Sequence, residues 1–224
     1  MTIDDGLADL DAAGVGGAPA WSLATLPARM AEVAAAGALA GVLMILLWLR
    51  LRPDLSSAVV GSFFWIKAAY PAVIAACALV AATLFARGAR GGGRALAAAG
   101  ALAGAMLIAA GVDAWTMGAP ALRTLYWPNA AVCVGNVLII AAPMLALIAT
   151  GLRDVDLERQ ALTGLACGLF CGGVAAVVDG LHCWQTTYAF VGPWFTLAML
   201  LSGGVGAGLS ALLGAHRRRL AEAD

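Results

Sequence analysis

Long runs of small and apolar residues alternate with short charged interruptions along the chain, and the lengths of those runs predict the elements. A helix needs about 20 apolar residues, at 1.5 Å rise each, to cross about 30 Å of hydrocarbon. Six charge-poor segments meet that length, at approximately 32–50, 64–86, 95–117, 130–152, 162–183 and 192–215. None has the in-out alternation of a barrel strand, and a backbone in lipid must satisfy its own hydrogen bonds, so helices are expected. The predicted fold is all-α, an integral membrane bundle of six transmembrane helices over 31–216, preceded by a segment at 1–30 and followed by a tail at 217–224.

Composition sharpens this picture. The 224 residues are 62% hydrophobic and 12% charged, with a mean hydropathy of +0.91, far outside the makeup of a soluble domain. Thirteen basic and thirteen acidic side chains cancel, so no nucleic-acid footprint is present and the expected partners are a lipid bilayer and another protein. The basic residues also predict an orientation. With the N-terminus inside, the cytoplasmic set is Arg29, Arg87, Arg90, Arg94, Arg153, Arg159, Arg217, Arg218 and Arg219, against Arg50, Arg52, Lys67 and Arg123 outside. Both termini are therefore expected in the cytoplasm. A secretory leader is not expected, since the first apolar run is preceded by Asp4, Asp5, Asp9 and Asp11 in place of a basic region.

Glycines suggest how the helices approach one another. Gly37/Gly41, Gly100/Gly104, Gly164/Gly168/Gly172 and Gly204/Gly208 have the small-xxx-small spacing that lets backbones come close. The octapeptide "AAAGALAG" occurs at 34–41 and 97–104, a coincidence expected of an Ala/Gly-rich chain. "GGVGAG" at 203–208 follows no strand and precedes no Lys, so it is not a phosphate loop, and no cofactor is expected.

Candidate chemistry gathers at one membrane face. "DGLHC", 179–183, closes the fifth run with Asp179, His182 and Cys183; Lys67 opens the second, Asp113 lies near the outer end of the third, and Cys133 begins the fourth. Trp65, Trp115, Trp127, Trp184 and Trp194 supply an interfacial aromatic belt around them. A charge at mid-membrane costs about 2.5 to 3.5 kcal/mol on insertion scales, so Asp113 and Asp179 are expected to face inward or to pair with Lys67 near headgroup level. Residue spacing leaves three readings of Cys133 and Cys183: a disulfide, soft ligands for zinc or cadmium together with His182, or small buried residues. The five cysteines, at 77, 133, 167, 171 and 183, form no CxxC, and Cys167 and Cys171 on a glycine-rich face read as packing residues. At the N-terminus, Ile3, Leu7 and Leu10 make a short apolar stripe among the aspartates. Such an acidic amphipathic helix suits a groove on a basic partner, and a solvated terminus suits the pattern equally.

Several short motifs in a fixed order carry a resemblance. "LRPDL" (51–55) after the first span, "FWIK" (64–67) opening the second, Cys133, "GLR" (151–153), "LHC" (181–183) and "FVGPWF" (190–195) resemble the six-span NrsF-type proteins, negative regulators of extracytoplasmic-function sigma factors. The resemblance implies a non-enzymatic anti-sigma factor of a bacterial inner membrane, active in a stress response. Its N-terminal segment, with Ile3, Asp4, Asp5, Leu7 and Leu10, would hold the sigma factor. It also implies that Cys133 and Cys183, beside His182, sense a heavy metal or an oxidant. Arg52, Asp54 and Lys67 match recurrent family positions and, with Asp113 and Asp179, form the expected polar cluster. The chain departs from the pattern at "ARGARGGG" (86–93), at "DVDLERQ" (154–160) and at Gln185, where an acid is common. Two alternatives from other classes are a membrane thiol/quinone oxidoreductase, which normally needs a closely spaced pair, and a small transporter, which needs paired broken helices, whereas Pro143 in the fourth span is one interruption without an evident partner.

Overall fold

A computed structural model describes residues 21–118, 127–153 and 155–221. Ile3, Asp4, Asp5, Leu7 and Leu10 therefore lie outside the described residues, as does Arg123. Among the described residues there are seven α-helices and no strand. Helix α1 (Leu26–Met44) starts with a proline in its first turn, where the fixed φ of Pro27 suits a helix and its missing N–H costs nothing. It starts about six residues before the charge-free run does, and it closes in a π turn, Ile45–Leu49. After it comes Arg50, whose φ of 65° is uncommon for a side-chain-bearing residue. A single turn, α2 (Leu55–Ala58), leads to α3 (Ser62–Ala86), α4 (Gly92–Met117), α5 (Trp127–Gly151), α6 (Gln160–Asp179) and α7 (Tyr188–Ala221). With α1 these last five are six helices long and apolar enough to cross a membrane.

Short connections make successive long helices antiparallel, so the bundle has two ends. The proximal end holds residue 21, where the Arg87 guanidinium donates to the Leu23 carbonyl at 2.8 Å, Glu158 N–H donates to Ala86 O at 3.5 Å, and Trp21 lies against Gly151. The distal end holds Arg50 and the starts or ends of every other long helix at its opposite pole. Pro71, Pro143 and Pro193 sit inside α3, α5 and α7 without ending them.

Helix α6 is the core, its small residues buried nearly all round, while α1 and α4 are peripheral. The reason is backbone proximity: a Cβ on Gly168 would strike the Ser202 carbonyl, and one on Gly164 the Gly206 carbonyl. Ser202 Oγ donates to Gly168 O at 2.8 Å across the same seam. The seam on α7 is therefore Ser202, Gly206 and Ser210, whereas Gly204 and Gly208, expected there from spacing, face open space together with Gly100 and Gly104 of α4. Gly37 and Gly41 do pack as expected, against Met144, Ile140 and Val178. Cys167 and Cys171 are buried within the core cluster. Around the distal end Trp48, Trp65, Trp115 and Trp184 are exposed, as an interfacial belt requires, and Trp194 is half-buried.

Candidate functional site at the distal end

The site begins where α6 stops. Cys183 N–H reaches Asp179 O at 2.8 Å, and the last turn tightens, Leu181 N–H donating to Val178 O at 3.0 Å and His182 N–H to Asp179 O at 2.9 Å. The chain curls back instead of running on to 183, and this carries Cys183 under the bundle's rim next to Asp179. Three-residue bonds of this kind commonly satisfy the carbonyls that a helix end leaves unpaired.

Lys67, in the second turn of α3, fixes the turn from beneath. Its side chain is 2% exposed, and Nζ donates to the carbonyls of Cys183 at 2.6 Å and Gln185 at 3.1 Å, 5.5 Å from the Phe195 ring. The expected pairing of Lys67 with an aspartate is not formed: among the described residues no carboxylate lies within 4.0 Å of it. Oriented carbonyl dipoles and a ring face compensate the buried ammonium instead.

Cys133 comes from the distal start of α5. Its Sγ donates to Asp179 Oδ2 at 3.6 Å, and one donor atom each from Cys133, Asp179 and Cys183 all lie within 4.8 Å of one another. The three residues are buried, and both thiols are free. Asp179 is fully buried, with Oδ2 taking the thiol and Oδ1 without a hydrogen-bond partner. A cavity of about 100 Å³ opens beside them, lined by Asn136, Trp184 and Gln185 among others. Two soft sulfurs and a hard oxygen converging in one pocket can bind a thiophilic divalent ion, and two thiols this close can be oxidised together.

His182 borders the same cavity but stands outside the three-donor set. Its Nδ1 is 2.8 Å from the backbone carbonyl of Arg50; since a carbonyl only accepts, Nδ1 carries the proton. Neither ring nitrogen falls within 4.8 Å of all three cluster donors. Beside this contact the Arg52 amide donates to Leu181 O at 3.3 Å, so the α6–α7 turn is tied to the end of α1 twice. The Arg52 guanidinium is buried and forks onto exposed Asp54, Nε to Oδ1 at 2.8 Å and Nη2 to Oδ2 at 2.7 Å. That hydrogen bond holds the Asp54 carboxyl below the usual carboxylate range and raises the guanidinium further. Asp113 caps α7, its Oδ2 accepting the Ala189 N–H at 2.9 Å.

The five residues read as one polar cluster thus divide into three local devices: the Arg52–Asp54 fork, the Lys67 anchor and the Asp113 cap, with Asp179 joining the thiols. Sequence reasoning passed over Asn136 and the role of Gln185. An asparagine inside an apolar run was the available signal, because a polar side chain at membrane depth needs a partner.

Compared with known proteins, the chain matches over residues 15–214 the family NrsF, described as negative regulator of sigma F. The chain belongs to this family. It is 36% identical over 182 residues to an anti-sigma-F factor NrsF of Caulobacter vibrioides (strain NA1000 / CB15N), covering 80% of this chain and 85% of the relative. It is 31% identical over 210 residues to a probable anti-sigma-F factor NrsF of Azospira oryzae (strain ATCC BAA-33 / DSM 13638 / PS), covering 87% and 91%. No solved structure matches. Of the stretches that carried the NrsF likeness in the sequence, "LRPDL", "FWIK", Cys133, "LHC" and "FVGPWF" all meet at the distal end, and only "GLR" lies at the proximal one.

Proposed function

We propose that this protein is an anti-sigma factor of a bacterial inner membrane that holds an extracytoplasmic-function sigma factor through its cytoplasmic N-terminal segment, residues 1–30. Ile3, Leu7 and Leu10 supply the apolar contacts, and Asp4 and Asp5 the complement to a basic sigma surface. Both termini face the cytoplasm, and the distal site faces the periplasm. There Cys133 and Cys183, in the pocket that His182 also borders, respond to a heavy metal or an oxidant. In the oxidative case two thiols lose two protons and pass two electrons to the external oxidant as one S–S bond forms. In either case a signal shifts the equilibrium only by binding, or reacting with, one packing of α5 and α6 better than the other.

The observation that carries this reading is the separation of the two functions along one bundle. The buried thiol pocket lies at one end and the start of α1, which leads from the N-terminal segment, at the other. Family membership and two relatives named as anti-sigma-F factors support the regulatory role. Deletion of residues 2–20 spares buried Leu26 and Met30, and it should abolish co-purification of the sigma factor while the bundle remains in the membrane. Retained binding overturns the N-terminal reading. Replacing both Cys133 and Cys183 by serine should abolish induction of sigma-dependent transcription by cadmium or dichromate; undiminished induction removes the thiols from sensing.

A further inference from the structure

We propose that Asp179 is the third ligand of a soft divalent metal site whose other two ligands are Cys133 and Cys183. This deepens the sensing reading above and rests on it. The sequence had grouped His182 with the thiols, but the geometry points to the carboxylate.

Three observations carry the assignment. A sulfur about 2.3 Å and an oxygen about 2.1 Å from a tetrahedral zinc stand about 3.6 Å apart. Cys133 Sγ and Asp179 Oδ2 already stand at 3.6 Å, and the Cys183 sulfur lies within 4.8 Å of Cys133 Sγ and of a carboxylate oxygen of Asp179. Asp179 is fully buried and its Oδ1 makes no hydrogen bond within 3.5 Å, with the Asn136 side chain the neighbouring polar group in the cavity wall, so the carboxylate has an oxygen available to a ligand. The adjoining cavity of about 100 Å³, lined by Asn136, His182, Trp184 and Gln185 among others, leaves space for the ion and a completing water.

The charges also balance. When a divalent cation enters, one metal–sulfur bond forms at each cysteine, one metal–oxygen bond forms at the carboxylate, and the two thiol protons leave. Two positive charges replace two protons, so the pocket keeps its net charge. With the Lys67 ammonium at the backbone of Cys183, the cation, two thiolates, carboxylate and ammonium sum to zero. A neutral sum matters here because uncompensated charge in a buried pocket is strongly disfavoured. His182 donates its Nδ1 proton to the Arg50 carbonyl, which leaves Nε2 free, but neither ring nitrogen joins the set of donors that lie within 4.8 Å of one another, and this places the ring outside the ion's ligands.

The test is cadmium titration of the full-length protein in lipid nanodiscs, read by the ultraviolet thiolate-to-cadmium band. Asp179→Asn keeps the shape but should weaken binding at least about tenfold, the smallest effect usual for groups that serve a metal site. His182→Ala should bind as wild type does. X-ray absorption of the cadmium-loaded wild type, which does not depend on any variant folding, should show two sulfurs and oxygen without the outer-shell scattering of an imidazole. Unchanged affinity in Asp179→Asn, loss in His182→Ala, imidazole scattering, or no cadmium binding by the wild type would each overturn the assignment. Sigma-factor co-purification in the absence of metal, measured on the same preparations, reports separately whether the anti-sigma reading stands.

Discussion

Lys67→Met is the sharpest perturbation of the distal site, because methionine keeps most of the buried stem while removing the ammonium. Two charge-assisted hydrogen bonds, to Cys183 O and Gln185 O, disappear. At about 1.5 kcal/mol each, the low end for bonds to a charged group, the turn loses about 3 kcal/mol of closure. Global stability should fall by less, because several kcal/mol of ammonium desolvation is relieved in the folded state. A closure weakened by about 3 kcal/mol raises the open population roughly a hundredfold. Cys183 reports that population directly. With Cys77, Cys133, Cys167 and Cys171 replaced by alanine, the maleimide labelling rate of Cys183 in nanodiscs should rise by about that factor in Lys67→Met. A rate equal to that of the Lys67 parent, in a bundle with unchanged helix content, would refute the anchoring role.

Two further outcomes follow from the geometry. Gly168→Ala drives a Cβ into the Ser202 carbonyl and should cost about 1 to 3 kcal/mol, whereas Gly204→Ala, which meets nothing, should be neutral; unfolding in mixed micelles distinguishes them, and equal effects would show that the seam on α7 is misassigned. The Arg52 fork lowers the Asp54 carboxyl, so its stabilisation is complete above the ordinary carboxylate range and is lost as pH falls through the lowered value. Thermal midpoints measured from neutral pH downward should show that acid loss in the wild type and lack it in Asp54→Asn.

How much of this was legible in the sequence depended on what kind of information each feature needed. Six spans could be read because charge-free length is a property of the sequence alone. Their ends were less legible: Pro27 extends α1 toward the N-terminus, and the tight bonds onto Asp179 O end α6 before His182. Rotational register was not legible at all, since helices apolar on every side give no face to prefer; Gly204/Gly208 and Ser202/Gly206 have the same spacing, and only packing against α6 selects the second pair. Convergence of Cys133, Asp179 and Cys183 at one face followed from span counting. The partner of Lys67 did not, because backbone carbonyls leave no trace in residue identity.

The bond from His182 to the Arg50 carbonyl has a mechanical meaning. From Leu26 to Leu49, α1 and its closing π turn form a rod about 36 Å long, lightly embedded at the bundle's flank, with its far tip fastened to the hairpin that carries Cys183. Whatever displaces that hairpin must either snap the fastening or drag the rod. If the rod moves, the pull emerges at Leu26, one membrane thickness away, where the chain passes into its leading segment.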